Sequence, residues 1–501
     1  MENLSNYPDR IAETFENKTV FITGGTGFLG KVLVEKILRC FNVKKLFLLI
    51  REKKGKDPAS RLKEVFDNPL FEKLRNLRGE TAFDVCVPIS GDVGLKNLGI
   101  SPENRAILIN EVEIVFHGAA TIRFDDPLKK AVLLNVRGTK FMLELAKEMK
   151  KLMIFAHIST SYCHLGEKVL YEKVYPPPAN PHQIIKTVEW MEESLVENMT
   201  PTILGDNPNT YAFTKGLGEG LVSEQMDKLP VLILRPSVVV PIWLEPIPGW
   251  TDNINGPTGL LIGAGKGVLR TMYCNGEGYA DFVPVDIVAN ACVTAVWDAI
   301  RTNRTRKIFN ICSTADYKVS WDDMIALGRK VVYERMPLNG VAWYPGGSMK
   351  RYKFVHKICV ILYHYLPALL IDSIVPLFGY KPFMWQIQQR ITKGFDVFEY
   401  YANNQWDFSN EDGLKAVDEM NPREKEFYKL NGKGIDYYEY FTNCTHAARL
   451  YILKESDDTL PAARRHMKIM YFVDLFTKLF FLSLILYVLY HWVVTPILSR
   501  F

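Results

Sequence analysis

The chain has eight cysteines, at positions 40, 86, 163, 274, 292, 312, 359 and 444, and no CxxC pair among them. That argues against a zinc ribbon and against a small disulfide-stapled scaffold. Scattered single cysteines fit a reducing compartment. A strong charge of either sign is also missing. Lys and Arg number 61 and Asp and Glu 56, for a net charge of +5 over 501 residues. That is too weak a balance to point to nucleic acid. The opening stretch, MENLSNYPDR, lacks an apolar run, so no secretory signal is expected there. The N-x-S/T triplets at Asn17, Asn198, Asn303 and Asn443 are accordingly read as chance. There is no internal repeat and no low-complexity tract. Hydrophobic residues at 48% and charged residues at 23% exclude a disordered or fibrous chain. At ~150 residues per domain the length suggests about three units.

Long apolar runs are present, and they sit late. Residues 479–498 (LFFLSLILYVLYHWVVTPIL) are twenty positions without formal charge. As a helix that is ~30 Å, one hydrocarbon core. Arg464, Arg465 and Lys468 precede the run and only Arg500 follows it, so the positive-inside bias puts the preceding chain in the cytosol. A second run, 358–380, carries Asp372, Pro367 and Pro376. One charge and two prolines argue against a simple span and favour an interfacial or hairpin segment.

Before residue 330 the pattern is strand–helix alternation. Apolar runs at 18–23, 44–50, 84–90, 113–119, 151–158, 231–240 and 307–312 read as strands. Helical patterns separate them, at 30–41, 128–149 and 211–228. This predicts an α/β fold, a doubly wound parallel sheet of Rossmann type in an extended form with a substrate lobe.

Thr23 to Gly30 (TGGTGFLG) follows the first strand and opens the first helix. Gly24, Gly27 and Gly30 permit, in turn, a tight turn, close approach to a pyrophosphate and close helix–strand packing. The helix N-terminus offers N–H groups and a positive dipole end to phosphate. After the second strand stand Arg51, Glu52, Lys53 and Lys54 in place of the acid that would bind a ribose 2′-hydroxyl. A guanidinium there suits the 2′-phosphate of NADP. GAGKG at 263–267 is a decoy, since it lacks the first glycine and the Ser/Thr of a phosphate loop.

Tyr211 and Lys215 stand four residues apart, one turn along the same helical face. A nearby ammonium is expected to lower the phenol's pKa for proton exchange with a substrate oxygen. The fifth strand ends in Ser159, Thr160 and Ser161, at the edge where such sheets bind substrates. Thr160 is favoured as the carbonyl-binding hydroxyl, with Ser159 or Ser161 as alternatives. A nucleophilic Cys163 would imply a covalent thioester route. His164, its neighbour, is expected to face the other way on a strand, so that route is disfavoured. His356 and His364 lack the spacing of a zinc motif and read as packing or interfacial residues. No metal site is expected.

With these residues in place, the chain resembles the extended short-chain dehydrogenase/reductases. More narrowly it resembles the animal-type, alcohol-forming fatty acyl-CoA reductases. The resemblance rests on TGGTGFLGKVLVEKILR (23–39), HGAATIRFD (117–125), VYPPP (174–178), NTYAFTK (209–215), LRPSVV (234–239) and EPIPGWTDNINGPTGLLIGAGKGVLR (245–270). A late block from Lys381 is similar to the family's C-terminal domain. Gly25 departs from the family's frequent Ala. Gly216 and Gly218 cost helix propensity of up to ~1 kcal/mol each.

The resemblance implies that Thr23, Gly24, Gly27, Phe28, Leu29, Gly30, Arg51, Asp92, Val93, Ala119, Ala120, Asn135, Tyr211, Lys215 and Pro236 line an NADPH site. Thr160, Tyr211 and Lys215 would be the reacting set. Lys266 and Arg270 would meet the phosphates of CoA. It further implies reduction of a long-chain acyl-CoA to a primary alcohol and CoA, by two hydride transfers through an aldehyde. The expected organisation is a tail (1–14), a reductase domain (15–330), an apolar segment (331–380), a C-terminal domain (381–455) and an anchor (479–498). The expected setting is the bilayer of the endoplasmic reticulum or peroxisome, with the catalytic part in the cytosol. A sterol or sugar-nucleotide dehydrogenase, or a non-catalytic cofactor-sensing scaffold, would share part of this pattern.

Overall fold

The computed structural model describes residues 4–53, 55–254, 256–304, 306–313 and 318–495. Lys54 and the last three residues of the expected anchor, 496–498, fall outside them. The chain forms two compact units, neither continuous in sequence. The first comprises 1–248, 279–318 and 404–435, and the second 249–278, 319–403 and 436–501.

The first unit holds a seven-stranded sheet. Its strands, numbered in chain order, are β1 (Thr19–Thr23), β2 (Lys45–Ile50), β3 (Cys86–Ser90), β4 (Ile114–His117), β5 (Ile154–Ile158), β6 (Val231–Pro236) and β7 (Ile308–Ile311). Their order is β7-β6-β5-β4-β1-β2-β3, and every pairing is parallel. The order reverses between β1 and β4, the switch point where such sheets bind ligands. β1, β4, β5, β6 and β7 are buried at every position, as expected for strands covered on both faces.

The helices that matter for the site are α1 (Phe28–Cys40), α2 (Leu128–Ala131, Val132–Arg137 and Gly138–Glu148 in succession), α3 (Thr210–Ser223) and α4 (Val285–Arg301). The middle stretch of α2 is a π-helical turn. The apolar run 231–240 is not one strand. It breaks after Pro236, and Val238–Val240 pairs with Phe282–Pro284 in a separate two-stranded sheet.

The second unit contains α5 (Lys353–Phe378), α6 (Met384–Asn403) and α7 (Asp457–Trp492). Both α5 and α7 are long and apolar enough to cross a membrane, by length and composition alone. α5 runs through Pro367 because that proline opens the turn after a π-helical stretch, Ile361–Tyr365, and Pro376 lies in the closing 3-10 turn.

Candidate active site

The glycine turn is built for close approach. Gly24 has φ +80°, and a Cβ there would stand 2.8 Å from the backbone N of Ala119. A Cβ on Gly30 would stand 2.1 Å from the Gly24 carbonyl oxygen. A side chain at either position would force β1, α1 and the β4 loop apart. Gly27 is the N-cap of α1 and supplies no side-chain cap, so first-turn N–H groups face the partly exposed turn. Thr23, Phe28 and Leu29 complete it. These residues fit a dinucleotide pyrophosphate. Arg51 is exposed beyond β2, with its guanidinium 3.8 Å from the Asp92 carboxylate. Asp92 also accepts the Gly94 N–H at 2.9 Å, and the adjacent Val93 is buried under Gly138.

His117 organises the loop after β4, a role the sequence reading missed. Its Nδ1 lies 2.8 Å from the Thr23 hydroxyl and its Nε2 3.0 Å from the Thr139 hydroxyl. Thr139 donates its one proton to the Asn135 carbonyl at 2.7 Å. The imidazole must therefore donate from Nε2 and accept at Nδ1. It is neutral, burial having pushed its pKa down to about 3, with Lys215 adding to the effect. The Ala119 N–H donates to Thr23 at 3.2 Å, which ties Ala119 and Ala120 to the glycine turn.

Asn135, inside the π-helical turn, accepts the Thr121 N–H at 2.8 Å and donates to Thr121 O at 3.2 Å and Thr214 Oγ1 at 3.0 Å. It thus joins the β4 loop to α3. The glycines of α3 have a packing role. A Cβ on Gly218 would meet the Asn135 carbonyl at 2.9 Å, and one on Gly216 would meet the Cys163 carbonyl at 3.1 Å. The propensity lost at these positions is exchanged for contact with α2 and the β5 loop.

Thr160, Tyr211 and Lys215 come together at the carboxyl end of β5. The Thr160 hydroxyl lies beside the Tyr211 phenol, where it favours the ionised form. It also accepts the Tyr162 N–H at 3.2 Å and lies 3.4 Å from the Pro236 carbonyl. Phe124 stacks on the Tyr211 ring at 5.3 Å. Lys215 is buried and donates to the Ile158 carbonyl at 2.6 Å. Ser159 and Ser161 point elsewhere, to Glu219 at 2.7 Å and to the Arg235 carbonyl at 2.7 Å.

The expectation of an acidified phenol does not hold in this state. Burial raises the Tyr211 pKa to about 12, with the Thr160 hydroxyl working the other way. Burial lowers Lys215 to about 8, against the pull of Cys163 and Glu219. The ammonium is committed to a carbonyl, so the tyrosine stays protonated at neutral pH.

Beneath this set lies a polar cluster that the sequence reading did not find. Glu219, one turn beyond Lys215, accepts from Ser159, from His164 Nε2 at 3.0 Å and from Arg235 Nε at 3.1 Å and NH2. Cys163 Sγ lies 3.5 Å from the same carboxylate. The expected opposition of Cys163 and His164 fails because Ser161–Cys163 is a 3-10 turn, not strand. Burial penalises the Glu219 charge, but His164 and Arg235 outweigh it and hold the carboxyl far below its usual range. Burial likewise opposes charge on His164, yet Cys163 and Glu219 raise its pKa to about 10. The ligand atoms of Cys163, His164 and Glu219 lie within 4.8 Å of one another. The Arg235 guanidinium and the charged imidazole already supply the positive charge a metal ion would bring.

Lys266 and Arg270 belong to the second unit. Lys266 pairs with Glu455 at 2.6 Å, and Arg270 donates to the Tyr344 carbonyl at 2.6 Å and lies 3.7 Å from Asp474.

A parallel sheet with this glycine turn, and a Thr–Tyr–Lys set at the end of β5, defines a nicotinamide-dependent reductase of the extended short-chain dehydrogenase/reductase class. A family model described as male sterility protein, an NAD-binding one, matches residues 22–292, and a second of the same description matches 363–455. Fatty acyl-CoA reductase 1 of Xenopus laevis is 37% identical over 459 residues, 91% of this chain and 89% of that protein. The human fatty acyl-CoA reductase 1 is 36% identical over the same shares. The Drosophila melanogaster fatty acyl-CoA reductase wat is 35% identical over 92% of this chain and 90% of that protein. The chain belongs to the fatty acyl-CoA reductase family. Among solved structures, the reductase domain of a Mycobacterium tuberculosis non-ribosomal peptide synthetase superposes with a TM-score of 0.57 at 19% identity, covering 89% of this chain and 97% of that one. The terminal reductase domain of the myxalamid pathway gives 0.57 at 19%, covering 87% and 92%. These two likenesses concern the fold.

Proposed function

We propose that the protein reduces long-chain fatty acyl-CoA to the primary alcohol, using NADPH. Each acyl-CoA consumes two NADPH and two protons and yields one alcohol, one CoA thiol and two NADP⁺. The bound nicotinamide supplies the hydrides. The chain's own groups handle the oxygen and the protons.

Thr160 and Tyr211 donate hydrogen bonds to the carbonyl oxygen as negative charge builds on it. Tyr211, protonated with a pKa near 12, is poised to give that oxygen its proton. Lys215, the most readily deprotonated of the set, would hold the nicotinamide ribose in place of its Ile158 carbonyl contact. The first reduction gives a hemithioacetal, which loses CoA thiol to leave an aldehyde. The same three groups then serve the aldehyde. Arg51 receives the 2′-phosphate that distinguishes NADPH from NADH. Lys266 and Arg270 are assigned to CoA phosphates. The α7 helix anchors the chain in an intracellular membrane, endoplasmic reticulum or peroxisome, with the reductase unit in the cytosol.

The observation that carries this reading is the likeness to fatty acyl-CoA reductases along 91% of the chain, with Thr160, Tyr211 and Lys215 gathered at one strand end. To test it, the full chain in detergent is given NADPH with palmitoyl-CoA or with a 3-ketosteroid. Release of CoA thiol and hexadecanol from the first, with no turnover of the second, is expected. NADPH oxidation with the ketosteroid and none with palmitoyl-CoA would overturn the reading.

A further inference from the structure

α5 is apolar, yet one side of it is fastened along its length to the rest of the second unit. His356, Val360, His364 and Ala368 are buried, and Asp372 continues the series at every fourth residue. Four-residue steps over-rotate an α-helix by about 40° each. The π-helical stretch Ile361–Tyr365 takes part of that drift back and keeps the series on one side. His356 Nδ1 lies 3.2 Å from the Thr271 hydroxyl, and His364 Nε2 accepts the Arg270 N–H at 2.9 Å. Both imidazoles pack on the Phe395 ring of α6. Asp372, the single acid of α5, accepts the N–H groups of Phe383, Met384 and Trp385 at 3.0, 3.0 and 2.8 Å, and so caps α6.

The other side is exposed and oily. Leu366, Leu369, Leu370 and Ile374 stand 46%, 54%, 56% and 52% exposed. A membrane-crossing helix would carry His356, His364 and Asp372 through the hydrocarbon with the body they are bonded to, or leave them unpaired there, which is costly in a medium without hydrogen-bond partners. A helix lying on a lipid surface keeps every one of these bonds and buries only the oily side.

Two further observations point to lipid as what covers that side. Arg270, whose N–H holds His364, also stands 3.7 Å from Asp474 of α7, and Asp474 accepts Trp343 Nε1 at 2.6 Å. α7 is thus pinned to the unit beside α5, and from Leu479 onward its apolar side chains are exposed on all sides. Where that helix enters a bilayer, α5 meets the same surface. Lys350, Arg351 and Lys357 stand at the start of α5, exposed or partly exposed, while Lys353 and Lys478 are already paired with Glu399 and Asp474. That basic start suits anionic headgroups.

We propose that α5 is a second membrane contact that lies in the plane of the lipid surface, held by His356, His364 and Asp372, rather than a second crossing. The inference stands on the second unit alone and survives or fails independently of the reaction. The test uses the full chain with Cys40, Cys86 and Cys359 replaced by Ser, reconstituted in sealed phosphatidylcholine–phosphatidylserine vesicles. Single cysteines are placed at Leu77 (marking the face of the first unit), at Arg351 and Lys381 on either side of α5, and at Leu370. An impermeant maleimide is expected to reach Arg351→Cys and Lys381→Cys from the same side as Leu77→Cys. A fluorophore on Leu370→Cys is expected to be quenched by spin-labelled lipid. Labelling of Lys381→Cys only after the vesicles are opened would establish a crossing and overturn the proposal. A Leu370 fluorophore that senses lipid no more than one on Leu77→Cys would overturn it equally.

Discussion

The first unit buries charge: Glu219, 2% exposed, sits under Ser159, His164 and Arg235 at the floor of the candidate site. The second unit exposes oil: Leu369 and Leu370 stand more than half open along α5, and α7 is apolar on all sides past Leu479. Each arrangement is costly in water and each has a use. Buried charge fixes the geometry of a reacting set, because every member of the cluster has one low-energy position. Exposed oil is the ordinary surface of a protein that works against lipid.

The comparison breaks first at Tyr211. Tyr211→Phe should lower turnover by about 10²–10⁴-fold while leaving NADPH affinity, measured by fluorescence titration, close to the wild-type value. Unchanged turnover would mean that the phenol is not the proton donor. Next is the charge cluster. Glu219→Gln leaves the buried Arg235 guanidinium without its counter-ion, and should cost about 3–5 kcal/mol of stability, read as a lowered denaturation midpoint. A midpoint equal to wild type would mean that the cluster does not hold the fold of the site. Third, Gly218→Ala, despite better helix propensity, should destabilise by about 1–3 kcal/mol because its methyl meets the Asn135 carbonyl. A stabilised variant would contradict the packing role.

The smallest effect is in pH. His164 titrates near 10 when folded, against 6.5 ordinarily, so its contribution to stability is complete below about 6.5 and is lost as pH rises through about 10. The fall in thermal midpoint across that interval should be shallower in His164→Gln than in wild type. An identical slope would mean that the imidazole is not held charged. On the lipid side, the anchor should be removed after Lys478. A cut at 460 would also strip Ala463, Met467 and Asp474, which are buried in the second unit. The protein truncated after Lys478 should bind vesicles less tightly but still measurably if α5 lies on the lipid.

The parts of the first unit legible in sequence were those with a period or a spacing. The strands of the sheet, the glycine turn, and Tyr211 with Lys215 one turn on announce themselves because backbone geometry dictates them. What stayed hidden depends on residues distant in sequence. His117 acts through Thr23 and Thr139, and Glu219 through Arg235 and a 3-10 turn at Ser161–Cys163 that read as strand. The Tyr–Lys spacing suggested an acidified phenol, but burial and the Ile158 carbonyl reverse that expectation. In the second unit, Asp372 and Pro367 gave a warning against a crossing, yet only the contacts reveal Asp372 as a cap on α6.

The central claim is that one site carries a lipid thioester to its alcohol. The direct test counts NADPH oxidised per CoA thiol released by the full chain with palmitoyl-CoA. The account predicts two, with hexadecanol as the product. A ratio of one with hexadecanal accumulating, or no thiol at all, would contradict it.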